Sequence, residues 1–307
     1  MGLVIGGLGG IGLLLAPALP GTAGFLVLLA FAFWLVSSGE PVPFEFAAPN
    51  PTLDQSAPPE TQPDRIEDPL WASIPSGRFR MGSDENDSEK PVHEVAISAF
   101  QCLRTPVTRQ LYLQIMGQDP GWPEGEADLR PVNRVSWFDA VKFCNRWSEV
   151  LALSPCYLCD GNNVRWDYQA DGIRLLTEAE WEYACRAGSG TKWCFGDDET
   201  QLQEFAWFNQ NSDNKPQPVA AKRANEFGLF DLHGNVWEWC WDWYGTYDDQ
   251  GQADPVGAAT GIGRVLRGGA FNFVPRYLRS ADRNWIIPVF EARYYGFRCA
   301  RGPRRQR

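Results

Sequence analysis

The chain has 307 residues, 44% of them apolar, which is enough for a sizeable core and too hydrophobic for an unfolded chain. Lys and Arg number 28 against 38 Asp and Glu, a formal charge of -10 that argues against nucleic acid as a main partner. Two histidines, His93 and His233, are too few for a His-rich catalytic metal centre, and fourteen tryptophans with thirty glycines point to short strands, tight turns and aromatic packing.

Residues 1–39 carry no charged side chain, and the run is long enough to cross a bilayer, densest from Gly24 to Ser37. The first basic residue is Arg65, so the basic n-region of a signal peptide is missing. The segment reads as a membrane anchor or uncleaved signal, placing the protein at a cell envelope. A misassigned start or a buried apolar arm, with a cytoplasmic location, is the alternative. In 40–69 eight of thirty residues are proline, an extended spacer stiffened toward polyproline II. Residues 70–302 have the composition of a folded domain, and 303–307 form a short basic tail.

Within that domain, Ser136 followed by Asp139 is a capping-type start, and Trp137, Ala140, Val141, Cys144, Trp147 and Leu151 recur at helical spacing. A second helix is predicted from Thr177 with Glu180, stopping near Gly188. Between them Asp160-Gly161 predicts a hairpin over Tyr157 to Trp166. From Trp237 to Tyr244 four tryptophans alternate with Glu238, Cys240, Asp242 and Tyr244, so an extended chain lines one face with indoles, as in a core strand. A buried Glu238 there requires a cation or an arginine. Eight cysteines are scattered, and only Cys156 and Cys159 have C-x-x-C spacing, without the second ligand pair that zinc needs.

Several ordered motifs carry a resemblance that covers about Ile74 to Arg301: Gly77-Arg78-Phe79 with Met81-Gly82-Ser83, Pro106-Val107-Thr108, Val135-Ser136-Trp137, Thr177-Glu178-Ala179-Glu180-Trp181-Glu182, Phe227-Gly228-Leu229, Gly234-Asn235-Val236-Trp237-Glu238-Trp239, Arg267-Gly268-Gly269 and Gly296-Phe297-Arg298. The chain resembles the formylglycine-generating-enzyme, or sulfatase-modifying-factor, superfamily. The resemblance implies an α+β, loop-rich fold of the C-type lectin kind, with two main helices and short antiparallel strands. In the oxygen-using members two cysteines shortly after the Arg-Gly-Gly motif bind Cu(I) and attack the substrate. Here no cysteine lies between Cys240 and Cys299, so the resemblance does not carry the oxidase chemistry with it.

The stretch in place of those cysteines is similar to the variable region of proteins diversified by retroelements, a branch of the same superfamily. Its scaffold arginines match Arg267, Arg279, Arg283 and Arg298 within a region spanning 264–300. Adenine randomisation of Asn codons yields no Lys, Gln or Met, and none occurs from Ala270 to Tyr295; Trp285 needs another codon, and Glu291 fits poorly. The resemblance predicts ligand-binding variable positions at Ala270, Phe271, Phe273, Val274, Arg276, Tyr277, Asp282, Trp285, Ile286, Ile287, Val289, Phe290, Tyr294 and Tyr295. Adjacent apolar pairs such as Ile286-Ile287 cannot all face one core, so some must be exposed. The reading is a receptor- or adhesin-like protein that is not an enzyme, requires no cofactor, binds an unknown protein or surface ligand and leaves nucleic acid aside. The alternative is a formylglycine-generating-type oxidase using Cys240 or Cys194. The resemblance further implies a disulfide between Cys144 and Cys299 in an exported protein, or two buried thiols in a reducing one. It also implies a structural Ca²⁺ held by Glu238 with backbone carbonyls of His233, Gly234 and Val236, against the alternative of a buried pair between Glu238 and an arginine.

Overall fold

The structure is a computed structural model that describes residues 70–122 and 128–302. The segments read as an apolar anchor at 1–39, a spacer at 40–69 and a basic tail at 303–307 lie outside the described residues. The strands and helices run in the order β1 (Trp71–Ile74), β2 (Gly77–Met81), β3 (His93–Ile97), β4 (Phe100–Leu103), α1 (Arg109–Met116), α2 (Trp137–Val150), β5 (Tyr157–Asp160), β6 (Asn163–Trp166), β7 (Arg174–Leu175), α3 (Glu178–Arg186), α4 (Leu202–Phe205), β8 (Trp237–Trp243), β9 (Gln252–Ala253), β10 (Arg264–Arg267), β11 (Asn284–Ile286), β12 (Tyr295–Phe297) and β13 (Cys299–Arg301). This is the expected α+β, loop-rich architecture. No helix among the described residues is long and apolar enough to cross a membrane.

Both predicted helices form, and each starts with a capping box. The Ser136 hydroxyl accepts from the Asp139 amide while Asp139 accepts from the Ser136 amide, and Thr177 with Glu180 repeats the arrangement. The second helix stops at Ala187 in the left-handed conformation, one residue before the expected Gly188. α1 was not anticipated: Thr108 caps it by accepting from the Leu111 amide, and Gly117 closes it at φ 74°. The hairpin of β5 and β6 forms, but Asp160 pairs with Asn163, so its two loop residues are Gly161 and Asn162, one step beyond the predicted dipeptide.

Two four-stranded sheets organise the domain, in the orders β1-β4-β13-β7 and β11-β10-β8-β12. Most pairs are antiparallel, yet β8 pairs with β12, and β3 with β9, in parallel, because long connections bring the later strand back in the same direction. β8 is the tryptophan strand. Trp237, Trp239 and Trp241 enter the core built on α1 and α2, while Cys240 on the opposite face enters a second core beneath α3. Indole hydrogen bonds from Trp239 to the Val135 carbonyl (3.0 Å) and from Trp137 to the Cys240 carbonyl (2.9 Å) lock the start of α2 against β8. After β10 the chain turns through Gly268 and Gly269, both at positive φ. A Cβ there would come within 2.9 Å of the Leu232 carbonyl and 2.7 Å of the Leu278 side chain respectively, so the Arg-Gly-Gly turn admits no side chain.

Candidate ligand-binding face

The four arginines picked out from the sequence are all buried, and each is fixed to a carboxylate. Arg267 meets Glu182 through Nη2, lies 3.6 Å from Glu178 through Nε, and donates to the Asp282 carbonyl. Arg283 forks onto both Glu178 oxygens at 2.6 and 2.8 Å and donates to the Ser88 carbonyl at 2.7 Å. Arg279 forks onto Glu89 at 2.6 and 3.0 Å, and Arg298 donates to Glu238 at 2.8 and 3.1 Å and to the carbonyls of Leu103 and Phe230. Glu178 and Glu182 are one turn apart on α3, so a single helix face holds two of the staples. Burial alone would raise the Glu178 carboxyl, but Arg283 and Arg267 overcome it and hold it below its ordinary value; Arg279 does the same for Glu89.

Between these staples the chain reaches solvent. Val274 and Arg276 are exposed, as are Trp285 (42%), Ile287, Val289 (56%) and Phe290; Phe273, Tyr277, Ile286 and Tyr294 are half-buried. Phe273 lies 5.6 Å from both Tyr277 and Tyr294, Tyr294 lies 4.8 Å from Tyr295, and Phe290 follows at 6.2 Å from Tyr295, a continuous aromatic line. Arg276 stacks on Tyr277 at 4.7 Å, and Trp285 leans on Tyr244 at 5.8 Å from the edge strand β11. The backbone beneath is held by core elements: the Phe273 carbonyl accepts from Asn209 (3.1 Å), Pro288 from Trp137 (3.1 Å), Ala292 from Arg134 (3.0 Å) and Tyr294 from Trp237 (2.9 Å). The main chain is thus fixed while the side chains are offered.

Four expected contact positions are interior instead. Ala270 and Phe271 follow directly from the Gly-Gly turn into the core, where the Phe271 amide donates to the Asn235 carbonyl. Tyr295 sits in β12 and packs on Trp239 at 5.4 Å. Asp282 is buried 3.3 Å from Arg279, and burial pushes its carboxyl up to about 7.

The calcium set is also corrected. Both Glu238 oxygens accept hydrogen bonds from Arg298, and one also accepts from the Trp181 indole at 2.8 Å, so its carboxylate belongs to an arginine pair. That removes the side chain on which ligation with His233, Gly234 and Val236 depended. His233 is an interior imidazole: Nδ1 donates to the Leu278 carbonyl (2.7 Å), Nε2 accepts from the Cys194 amide (3.2 Å), and burial pulls its pKa down to about 4. Cys185 lies 3.7 Å from Nε2, but that nitrogen is already occupied and burial raises the thiol, so the two do not form a nucleophile and base. Cys144 and Cys299 do meet, as adjacent buried thiols with Sγ atoms 3.8 Å apart.

Sequence reasoning missed the carboxylate half of the frame. Glu89, Glu178 and Glu182 lie 85 to 190 residues from the arginines they hold, and the only local signal was the density of glutamates after Thr177.

A family model for the sulfatase-modifying factor enzyme 1-like domain matches residues 55–303. The chain is 33% identical over 203 residues to the chaperone protein LppX of Paenibacillus barcinonensis, covering 56% of this chain and 70% of that one. It is 29% identical to the formylglycine-generating enzyme of Streptomyces coelicolor, covering 83% and 95%. The serine/threonine-protein kinase pkn1 of Chlamydia caviae, 35% identical over 245 residues, is a longer relative of which the chain spans 37%. Among solved structures, Treponema denticola variable protein 1 superposes with a TM-score of 0.71 at 34% identity, covering 76% of this chain and 95% of the other. The chain belongs to the sulfatase-modifying factor enzyme 1-like family.

Proposed function

We propose that the chain is a non-enzymatic, receptor- or adhesin-like binding protein whose C-terminal face, diversified by a retroelement, grips a protein or other surface ligand outside the domain. The observation that carries this reading is the pinned backbone under Val274, Arg276, Trp285, Ile287, Val289 and Phe290, whose side chains point to solvent. Rigid aromatic groups give contact area at low entropy cost, and Arg276 adds a polar anchor. The likeness to Treponema denticola variable protein 1 supports it. The charge-free segment 1–39 would hold the domain at a membrane. Sequencing siblings of the chain tests the diversification: differences should concentrate at 273, 274, 276, 277, 285–287, 289, 290 and 294 and spare Ala270, Phe271, Asp282 and Tyr295. Differences spread evenly along the chain contradict it.

The similarity to formylglycine-generating enzymes favours a second reading, an oxidase. The Cu(I) chemistry of those enzymes does not fit the residues present. Ala270 to Leu278 offer no thiol, and among the described residues no group of three His, Cys, Asp or Glu is placed to hold a metal. Cys240 is fully buried in β8 with its thiol raised well above the ordinary value, and burial pushes Cys194 up to about 12, so neither is an activated thiolate. Incubating the full chain with a Cys-containing sulfatase-type peptide, copper and oxygen should leave the peptide unchanged; conversion to formylglycine establishes the oxidase instead.

A further inference from the structure

Arg264 is as buried as the staple arginines, at 3% exposure, but it is bonded differently. Arg174, Arg186, Arg267, Arg279, Arg283 and Arg298 each have a carboxylate at salt-bridge distance, whereas among the described residues Arg264 has none. Its guanidinium is held by rings. The carbon lies 3.6 Å from the centre of Trp243, 3.8 Å from Trp137 and 4.9 Å from Trp241. Nη1 donates to the Trp241 carbonyl, and Nε is buried with no hydrogen-bond partner. A buried cation without a counter-ion is costly, and ring stacking offsets only part of that cost. Burial pulls its pKa down to about 9, the Asp242 carboxylate opposing the shift in part. Guanidinium N–H groups lie in its plane, so a further acceptor is met at its edge while the rings crowd around it at 3.6 and 3.8 Å.

Arg264 forms part of the wall of an open groove of about 680 Å³ between the β5–β6 hairpin and the loop after β9. The other walls are ring faces and small residues, chiefly Trp166, Tyr168, Trp241, Trp243, Ala258 and Ala259. Trp166 and Tyr168 stack at 4.8 Å, giving one flat apolar side. On the sheet, Arg264 sits between Trp243 of β8 and Ile286 of β11 in register, so the cation is fixed by two strands and not by a mobile loop. Arg165 adds a second positive group to the lining and Asp167 an opposing one.

We propose that this groove is a binding site for a small carboxylate on a flat apolar body, the carboxylate seated on the in-plane edge of Arg264 and the body against Trp166, Tyr168 and Trp243. A guanidinium suits this role because its fork matches a carboxylate with two parallel hydrogen bonds. Exclusion of water by the surrounding rings strengthens the pair relative to an exposed one. Although Arg264 pairs with Ile286, the groove lining contains none of the exposed positions of the variable face, and the site does not depend on that face being diversified or binding anything.

The test is calorimetric titration of the full chain with phenylacetate and indole-3-acetate, each paired with its primary amide at pH 7. The acids should bind at least about tenfold more tightly than the amides, a difference of about 1.4 kcal/mol. R264Q should remove that preference, and A259W, which adds bulk to the groove from an exposed position, should abolish binding while leaving the melting temperature in place. F290A, whose side chain lies outside the groove lining, should bind the acids as the parent does, which separates this site from the rest of the tail. The proposal is overturned if amides and acids bind alike, if A259W binds normally, or if neither acid binds at about 1 mM.

Discussion

The tail between Arg267 and Arg298 holds two populations of side chains that respond to opposite demands. Arg267, Arg279, Arg283 and Arg298 are sunk into the domain on Glu182, Glu89, Glu178 and Glu238, partners contributed by distant parts of the chain. Val274, Arg276, Trp285, Ile287, Val289 and Phe290, only a few residues from those arginines, are exposed to solvent. Long-range ion pairs, main-chain hydrogen bonds and interior residues such as Phe271 and Tyr295 thus fix the path of the tail without using its exposed side chains. A surface built this way tolerates change at the positions that meet a ligand, because none of them is needed to hold the backbone.

The largest expected effects strike the frame. Glu182→Ala leaves the fully buried Arg267 and the neighbouring Arg186 without a shared carboxylate, and should cost about 3–5 kcal/mol in chemical denaturation. Phe271→Ala should cost a similar ~3–5 kcal/mol, since Phe271 is core and not contact surface; a loss below about 1 kcal/mol would return it to the face. Next comes a pH effect. Burial and the neighbouring Glu178 push the Asp242 carboxyl up to about 8, so it binds its proton more tightly folded than unfolded. Its contribution is complete below about pH 4 and is lost as the pH rises through about 8. Asp242→Asn should therefore come nearest the parent near pH 4, gain on it steadily as the pH rises toward 8, and exceed it at pH 9 by roughly 2–4 kcal/mol more than at pH 5, read from melts across that range. A parent whose stability is flat from pH 5 to 9 contradicts this. The smallest effects belong to the face: Trp285→Ala, Val289→Ser and Phe290→Ala should each change stability by about 0.5 kcal/mol or less. The same three substitutions should weaken capture of the cognate ligand.

Local signals in the sequence revealed the frame of the fold. The capping pairs Ser136 with Asp139 and Thr177 with Glu180 and the alternating Trp237 to Trp243 strand each need only a few neighbouring residues to be read. α1 escaped because eight residues give too short a periodic run, although Thr108 and Gly117 mark both its ends. In the tail, the exposure of Ile287 beside half-buried Ile286 follows from the broken alternation of the apolar pairs. Which member of a pair turns inward was not legible. Phe271 and Tyr295 look no different from Phe273 and Tyr294 until the Gly-Gly turn and the parallel pairing of β12 with β8 set their directions. Nor was the partner of Glu238 legible, since Arg298 is sixty residues away and either a metal or an arginine satisfies a buried carboxylate.

A paired library measurement tests the central claim most directly. One library randomises Val274, Arg276, Trp285, Ile287, Val289 and Phe290 together; the other randomises the interior positions Ala270, Phe271, Asp282 and Tyr295. Most members of the first should melt within about 4 °C of the parent, and most of the second should not fold. Equal loss of folding in both libraries would show that the exposed side chains, and not only the buried arginines and interior residues, hold the tail in place.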